Sequence, residues 1–149
     1  MKRNVSIVWV VGIMLTLSAC SRENLPEVSS RVLLDKADTT VLGDGFSYPG
    51  AGNPEITSSI VRLEAGAETG WHLHEAPMYA YILEGTLDVT YDIEGVMVTN
   101  TYHQGDAIME GLDTPHIGKN LTKRPVSILV VNMGSSNVAN SVLLDAPEQ

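Results

Sequence analysis

Three histidines in this chain have the type and spacing for metal chemistry. His72 and His74 stand one residue apart, and in an extended strand side chains alternate with period two, so both imidazoles face the same way. A third imidazole, His116, lies in a second glycine-bracketed segment downstream, and a partner strand carrying it would close a facial set. Three neutral nitrogens with open coordination positions suit a catalytic divalent ion, whereas four protein ligands would seal it as a structural site. The fourth histidine, His103, has no such companions and reads as a solvated side chain.

The elements that must position these residues read as short strands separated by turns. Residues 56–64 are rich in β-branched side chains and end at Ala65-Gly66; residues 78–83 end at Glu84-Gly85. Residues 86–93 alternate, with Leu87, Val89, Tyr91 and Ile93 on one face, and Glu94-Gly95 predicts a hairpin turn into residues 96–103. Residues 125–133 form a near-continuous apolar run, which predicts a strand buried on both faces. Residues 138–144 fit either one helical turn or a last edge strand. Many short strands, glycine turns and no amphipathic helical stretch argue for an all-β sandwich or jelly-roll barrel.

The chain has 149 residues, 44% of them hydrophobic, which suits one globular domain with a single core. Its formal charge is −9. Removing Lys2 and Arg3 with a leader would leave seven basic against 18 acidic residues, or −11. Such a surface repels phosphate backbones, so nucleic acid is not an expected partner.

Residues 1–19 read as an address. Lys2 and Arg3 precede an apolar run from Val5 to Leu17, whose 13 residues fall short of the roughly 20 that span a bilayer. Leu17-Ser18-Ala19-Cys20 follows and resembles the lipobox of bacterial lipoproteins, which implies cleavage before Cys20 and lipid, palmitate included, on that residue. Ser21 after the cysteine resembles the sorting pattern for the outer membrane. The expectation is an envelope protein, anchored by lipid and facing the periplasm. Residues 20–30 are polar and unpatterned, a tether of root-mean-square reach roughly 17–20 Å. Cys20 is the sole cysteine, so no intramolecular disulfide is available and residues 31–149 must rest on their core and on any metal.

The two histidine segments together resemble the cupin signature. Gly66, His72, His74, Met78 and Gly85 match the spacing of the first cupin motif; Gly105, Gly111, Asp113, His116 and Asn120 match that of the second. The resemblance implies a single double-stranded β-helix barrel, one divalent ion (Fe, Mn, Zn, Ni or Cu) on His72, His74 and His116, and a homodimer. Two departures stand out. Met78 occupies the place of the usual fourth ligand, a glutamate, and Gly111 and Asp113 occupy those of a proline and a glycine. Without the glutamate the site is about one unit more positive, which favours an anionic or chelating ligand. Three-histidine sites occur among cupins similar to the cysteine dioxygenase and diketone-cleaving groups.

Met78 shares the parity of Ala80 and Ile82 and admits three readings: an apolar wall beside an open coordination position, a thioether ligand to copper, or a site that has lost its metal. Glu110 is the nearest replacement carboxylate, although a glutamate beside a turn is usually solvated. Glu75 reads as a solvated turn residue. Trp71, Tyr79 and Tyr81 have parity opposite the site residues; Trp71 should pack against the outer sheet, and Tyr79 and Tyr81 between the sheets or subunits. Gly43-Asp44-Gly45 reads as a turn rather than a phosphate loop, and no Gly-x-Ser-x-Gly elbow is present. The functions that remain are a metal-dependent enzyme acting on a small oxygenated or anionic molecule, of dioxygenase, isomerase or lyase type, and a non-catalytic small-molecule or metal binder.

Overall fold

A computed structural model describes residues 31–50 and 52–147. The leader over residues 1–19 and the tether over residues 20–30, Cys20 included, lie outside the described residues. No helix among the described residues is long and apolar enough to cross a membrane.

The described chain is all-β: β1 Pro54–Leu63, β2 His72–Leu73, β3 Met78–Glu84, β4 Thr86–Ile93, β5 Val96–His103, β6 Ala107–Met109, β7 His116–Lys119, β8 Val126–Ser135 and β9 Val142–Leu143. Two sheets form, in the orders β1-β8-β3-β6 and β5-β4-β7-β2-β9, and every strand ladder is antiparallel. Two facing sheets with crossed-over strand order are the jelly-roll arrangement of a cupin barrel.

Local chemistry explains the boundaries. The β4–β5 hairpin turns at Glu94 and Gly95, both at positive φ (53° and 86°), as a two-residue turn of the primed type requires, and the Asp92 carboxylate accepts the Gly95 N–H at 2.7 Å. Between β3 and β4, Gly85 sits at φ 86°, where a Cβ would come within 2.7 Å of the Pro125 carbonyl oxygen. Only glycine fits there. Asp113, in the place where the cupin pattern has glycine, is also left-handed at φ 54°, a conformation that aspartate tolerates better than most residues.

The core lies between the sheets. Met78, Ala80 and Ile82 of β3 face Leu87, Val89 and Tyr91 of β4, with Ile108, Val126 and Ile128 completing the cluster. Every second residue of a strand points inward, which is why these side chains come from alternate positions. The long apolar run at β8 departs from its expected burial on both faces. Val126 and Ile128 are buried, but Leu129, Val131 and Met133 on the outer face are only half-buried. The outer face is screened in part by the segment before β1, which joins the sheet where the Val41 N–H donates to the Met109 carbonyl, and which lays Leu33 and Phe46 beside Tyr79 and Met133. At the C-terminal end, the alternatives for residues 138–144 resolve as an edge strand: β9 pairs with β2, Leu73 opposite Val142.

Candidate metal centre

Pairing of β2 with β7 sets His72 directly opposite His116. His74, two residues further on, bridges to Leu112, and its carbonyl accepts the Asp113 N–H at 2.9 Å. The strand parity argued from the sequence therefore delivers all three rings to one place. Ring centroids are 4.3 Å apart for His72 and His116, and 5.1 Å for each of the pairs with His74. One nitrogen from each ring lies within 4.8 Å of the other two.

The other nitrogen of each ring is held by backbone. Nδ1 of His72 meets the Gly70 carbonyl at 2.9 Å, Nδ1 of His74 meets the Asn140 carbonyl at 2.6 Å, and Nδ1 of His116 meets the Thr114 carbonyl at 2.8 Å. A carbonyl only accepts, so each Nδ1 carries a proton, which leaves Nε2 as the nitrogen free to act as a ligand. Nε2 of His74 is buried and has no hydrogen-bond partner. Burial holds both His74 and His116 well below the usual imidazole range, at about 4, with the Asn140 and Thr114 carbonyls opposing. Three imidazoles with Nδ1 held by backbone and ligand nitrogens close together, two of them in rings kept neutral by burial, are what a divalent cation requires, so the residues present fit such an ion.

The rings line a cavity of about 260 Å³ inside the barrel. Its wall is mostly apolar, with Val61, Ala80, Leu87, Val89, Ile108, Ile128 and Val130, and its polar members besides the histidines are Ser59, Thr69, Glu110, Asn132, Asn140 and Ser141. Met78 lies on this wall and is 6% exposed, as its parity with Ala80 and Ile82 implied. Glu110 is also on the wall and is buried, contrary to the usual fate of a glutamate beside a turn. Its Oε1 accepts the Tyr91 hydroxyl at 2.6 Å and the Gly111 N–H at 2.9 Å. Burial pushes the Glu110 carboxyl above its ordinary range, against the lowering effect of those two bonds. The mutually close set of ligand atoms comprises the three imidazoles without Glu110.

The remaining candidates fall away from the cavity. Trp71 is half-buried on the outside of the β5-β4-β7-β2-β9 sheet beside Met97 and Ile117, and Tyr79 and Tyr81 also face outward. His103 is exposed, with Nδ1 3.2 Å from the Thr86 hydroxyl. Glu75 is exposed, yet it does more than a solvated turn residue, because its carboxylate accepts the Ala139 N–H at 2.7 Å and so pins the segment that supplies the Asn140 carbonyl to His74. Three contributors were missed by sequence reasoning. Tyr91 was read only as a core-facing residue, Asn132 was hidden in an apolar run, and Asn140 acts through a backbone atom that leaves no residue-type signal.

Residues 59–132 match the family model for the cupin domain. No curated protein matches the chain. Among solved structures, Bacillus subtilis oxalate decarboxylase, described with Mn(II) centres, is 24% identical with a TM-score of 0.53, over 60% of this chain and 24% of that one. Lactobacillus farciminis oxalate decarboxylase is 20% identical with a TM-score of 0.53, over 60% and 26%. An oxalate oxidase is 17% identical with a TM-score of 0.52, over 60% and 46%. The chain thus spans about a quarter of the length of the decarboxylases, and these likenesses concern the fold. The matched segment contains all three histidines and the strands β2 and β7 that aim them, so the likeness to a cupin domain takes in the whole histidine cluster.

Proposed function

We propose that this protein is a lipid-anchored envelope cupin that holds one divalent metal ion through Nε2 of His72, His74 and His116 and uses it to act on a small oxygenated or anionic molecule. The observation that carries the reading is the buried, unpartnered Nε2 of His74, in a ring whose other nitrogen is already committed to the Asn140 carbonyl. A buried polar atom without a partner costs roughly 1–3 kcal/mol, a cost that coordination removes.

An ion bound there supplies Lewis-acid polarisation of an oxygen ligand. The chain's own residues do the rest. The apolar wall excludes water, and Glu110, whose carboxyl is raised by burial, holds a proton more readily than an exposed glutamate and is oriented by Tyr91 and Gly111. Met78 leaves a coordination position to the substrate. No lysine or arginine is among the described residues that line the cavity, so the metal is the only cation that could meet an anionic substrate there.

Elemental analysis of protein purified without chelator or nickel resin tests the metal. About one equivalent of Fe, Mn, Zn, Ni or Cu is expected, and a metal-free protein that takes up none of them would overturn the reading. For the anchor, support comes from Leu17-Ser18-Ala19-Cys20 after the apolar run. Cys20→Ala should move the protein from the membrane fraction to the soluble one, and persistent membrane attachment would contradict a lipid on that residue.

A further inference from the structure

One polar group in the cavity has no task in holding metal. The inward face of β8 runs Val126, Ile128, Val130 and then Asn132, so an amide ends an otherwise apolar series. Asn132 stands opposite Met78 in the β3–β8 register and lines the same cavity as the histidines. It is 7% exposed, and its Oδ1 is buried without a hydrogen-bond partner. Burying an amide without a partner costs stability that a leucine of similar volume would not. The two ends of an amide present a donor and an acceptor, so a ligand group of either kind could relieve it.

The remainder of the cavity limits what that ligand is. A second negative charge would find no lysine or arginine on the described lining. The apolar wall needs an apolar body against it. A volume of about 260 Å³ is the liquid share of about nine waters, so the body is small.

We propose that Asn132 is a binding residue for the cavity's ligand, and that this ligand is a small molecule with a metal-chelating oxygen head, at most singly negative, and an apolar body lying along β8. The head rests on the metal reading above, while the role of Asn132 is tested separately from it.

The full chain in detergent is first stripped of metal and melted. Asn132→Leu should melt about 2–5 °C above wild type, because it removes an unpartnered buried amide. An equal or lower midpoint would mean that the amide is already satisfied and would overturn the binding role. The proteins are then loaded with Zn(II) and titrated with 2-hydroxyisocaproate, with glycolate, which has the same head without the isobutyl group, and with oxalate. Wild type should bind 2-hydroxyisocaproate at least about tenfold more tightly than glycolate through burial of the alkyl body, and more tightly than oxalate. Asn132→Leu and Asn132→Ala should each weaken 2-hydroxyisocaproate about tenfold. Should the leucine variant not fold, the alanine variant carries this arm. Equal affinity for glycolate, a preference for oxalate, or unchanged affinity in the Asn132 variants would overturn the proposal. A wild-type chain that takes up no zinc would sink the metal reading, and the metal-free melt would still decide for or against Asn132.

Discussion

Two buried polar clusters flank the four residues of β7, and they are built on opposite terms. Just past its end, Asn120 is fully buried and fully engaged: Nδ2 donates to the carbonyls of Leu63, Glu64 and Arg124 at 3.0, 3.0 and 2.7 Å, and Oδ1 accepts from the Thr122 N–H and hydroxyl at 3.0 and 2.8 Å. At its start, His116 belongs to a cluster in which Nε2 of His74 has no partner, with Oδ1 of Asn132 equally bare on the same cavity wall. Burial is the same in both places, but satisfaction is not. A saturated buried group fastens backbone to backbone, whereas an unsaturated one keeps its valence for something that arrives later. The difference assigns Asn120 to the architecture and supports the binding role proposed for the histidines. Asn120-Leu121-Thr122 has the Asn-x-Thr form of a glycosylation acceptor, but the amide is enclosed and cannot be reached.

The contrast would be broken most forcefully at Asn120. Asn120→Ala removes the donor shared by three carbonyls, and it should cost about 3–5 kcal/mol in denaturant unfolding while the folded fraction keeps its metal. A cost below about 1 kcal/mol would show that the loops between β1 and β2 and between β7 and β8 hold themselves.

His116→Ala should behave in the opposite sense. Partners that merely orient a metal-bound histidine change affinity about 10–100-fold, so loss of a ligand itself should exceed about a hundredfold, or roughly 2.7 kcal/mol. Equilibrium dialysis followed by elemental analysis measures it. Metal-free stability should change less than in Asn120→Ala. Unchanged metal affinity would remove His116 from the centre.

Legibility in the sequence followed the range of the forces involved. The histidines could be read because strand parity is local, and the hairpin at Glu94-Gly95 because its left-handed residues are adjacent. Glu110 could not be placed, because its hydroxyl partner, Tyr91, comes from a strand 19 positions earlier that is brought near only by the folded sheet. The outer face of β8 misled for a related reason. An apolar run does not say whether its second face will be covered, and here the segment before β1 covers only part of it. Asn132 sat unnoticed in the same run, and nothing local distinguishes an asparagine that will lie bare in a cavity from one that will be satisfied, as Asn120 is.

Acid sharpens the comparison with a smaller effect. His74 and His116 sit at about 4 in the metal-free fold, against an ordinary 6.5 when the chain is unfolded. The unfolded chain therefore binds more protons between those values, and the sign of the linkage makes metal-free stability fall as pH drops from about 6.5 towards 4, with no contribution from these rings above 6.5. Asn120 does not titrate and adds nothing to this slope. Thermal melts of metal-free protein across that window should show the loss, and the His116→Ala variant should show less of it. The Glu110 carboxyl, raised by burial, works in the opposite sense, so the difference between wild type and His116→Ala is the test, and identical profiles would mean that the His116 ring is solvated in the absence of metal.

The smallest expected effect is at Met78, and it tests whether an open valence can be filled from within. Met78 is buried on the cavity wall where the cupin pattern places a glutamate. Met78→Glu should bind a divalent ion about tenfold more tightly, since a carboxylate adds a ligand and cancels one unit of charge in a low-dielectric site. The same carboxylate has no cationic partner among the described lining residues once the metal is stripped, so the metal-free variant should melt lower than wild type. The two shifts must have opposite signs, which separates a ligand from a merely disruptive substitution. Weaker metal binding in the variant would mean that position 78 does not reach the ion, and the vacancy at this centre would then lie elsewhere among its coordination positions.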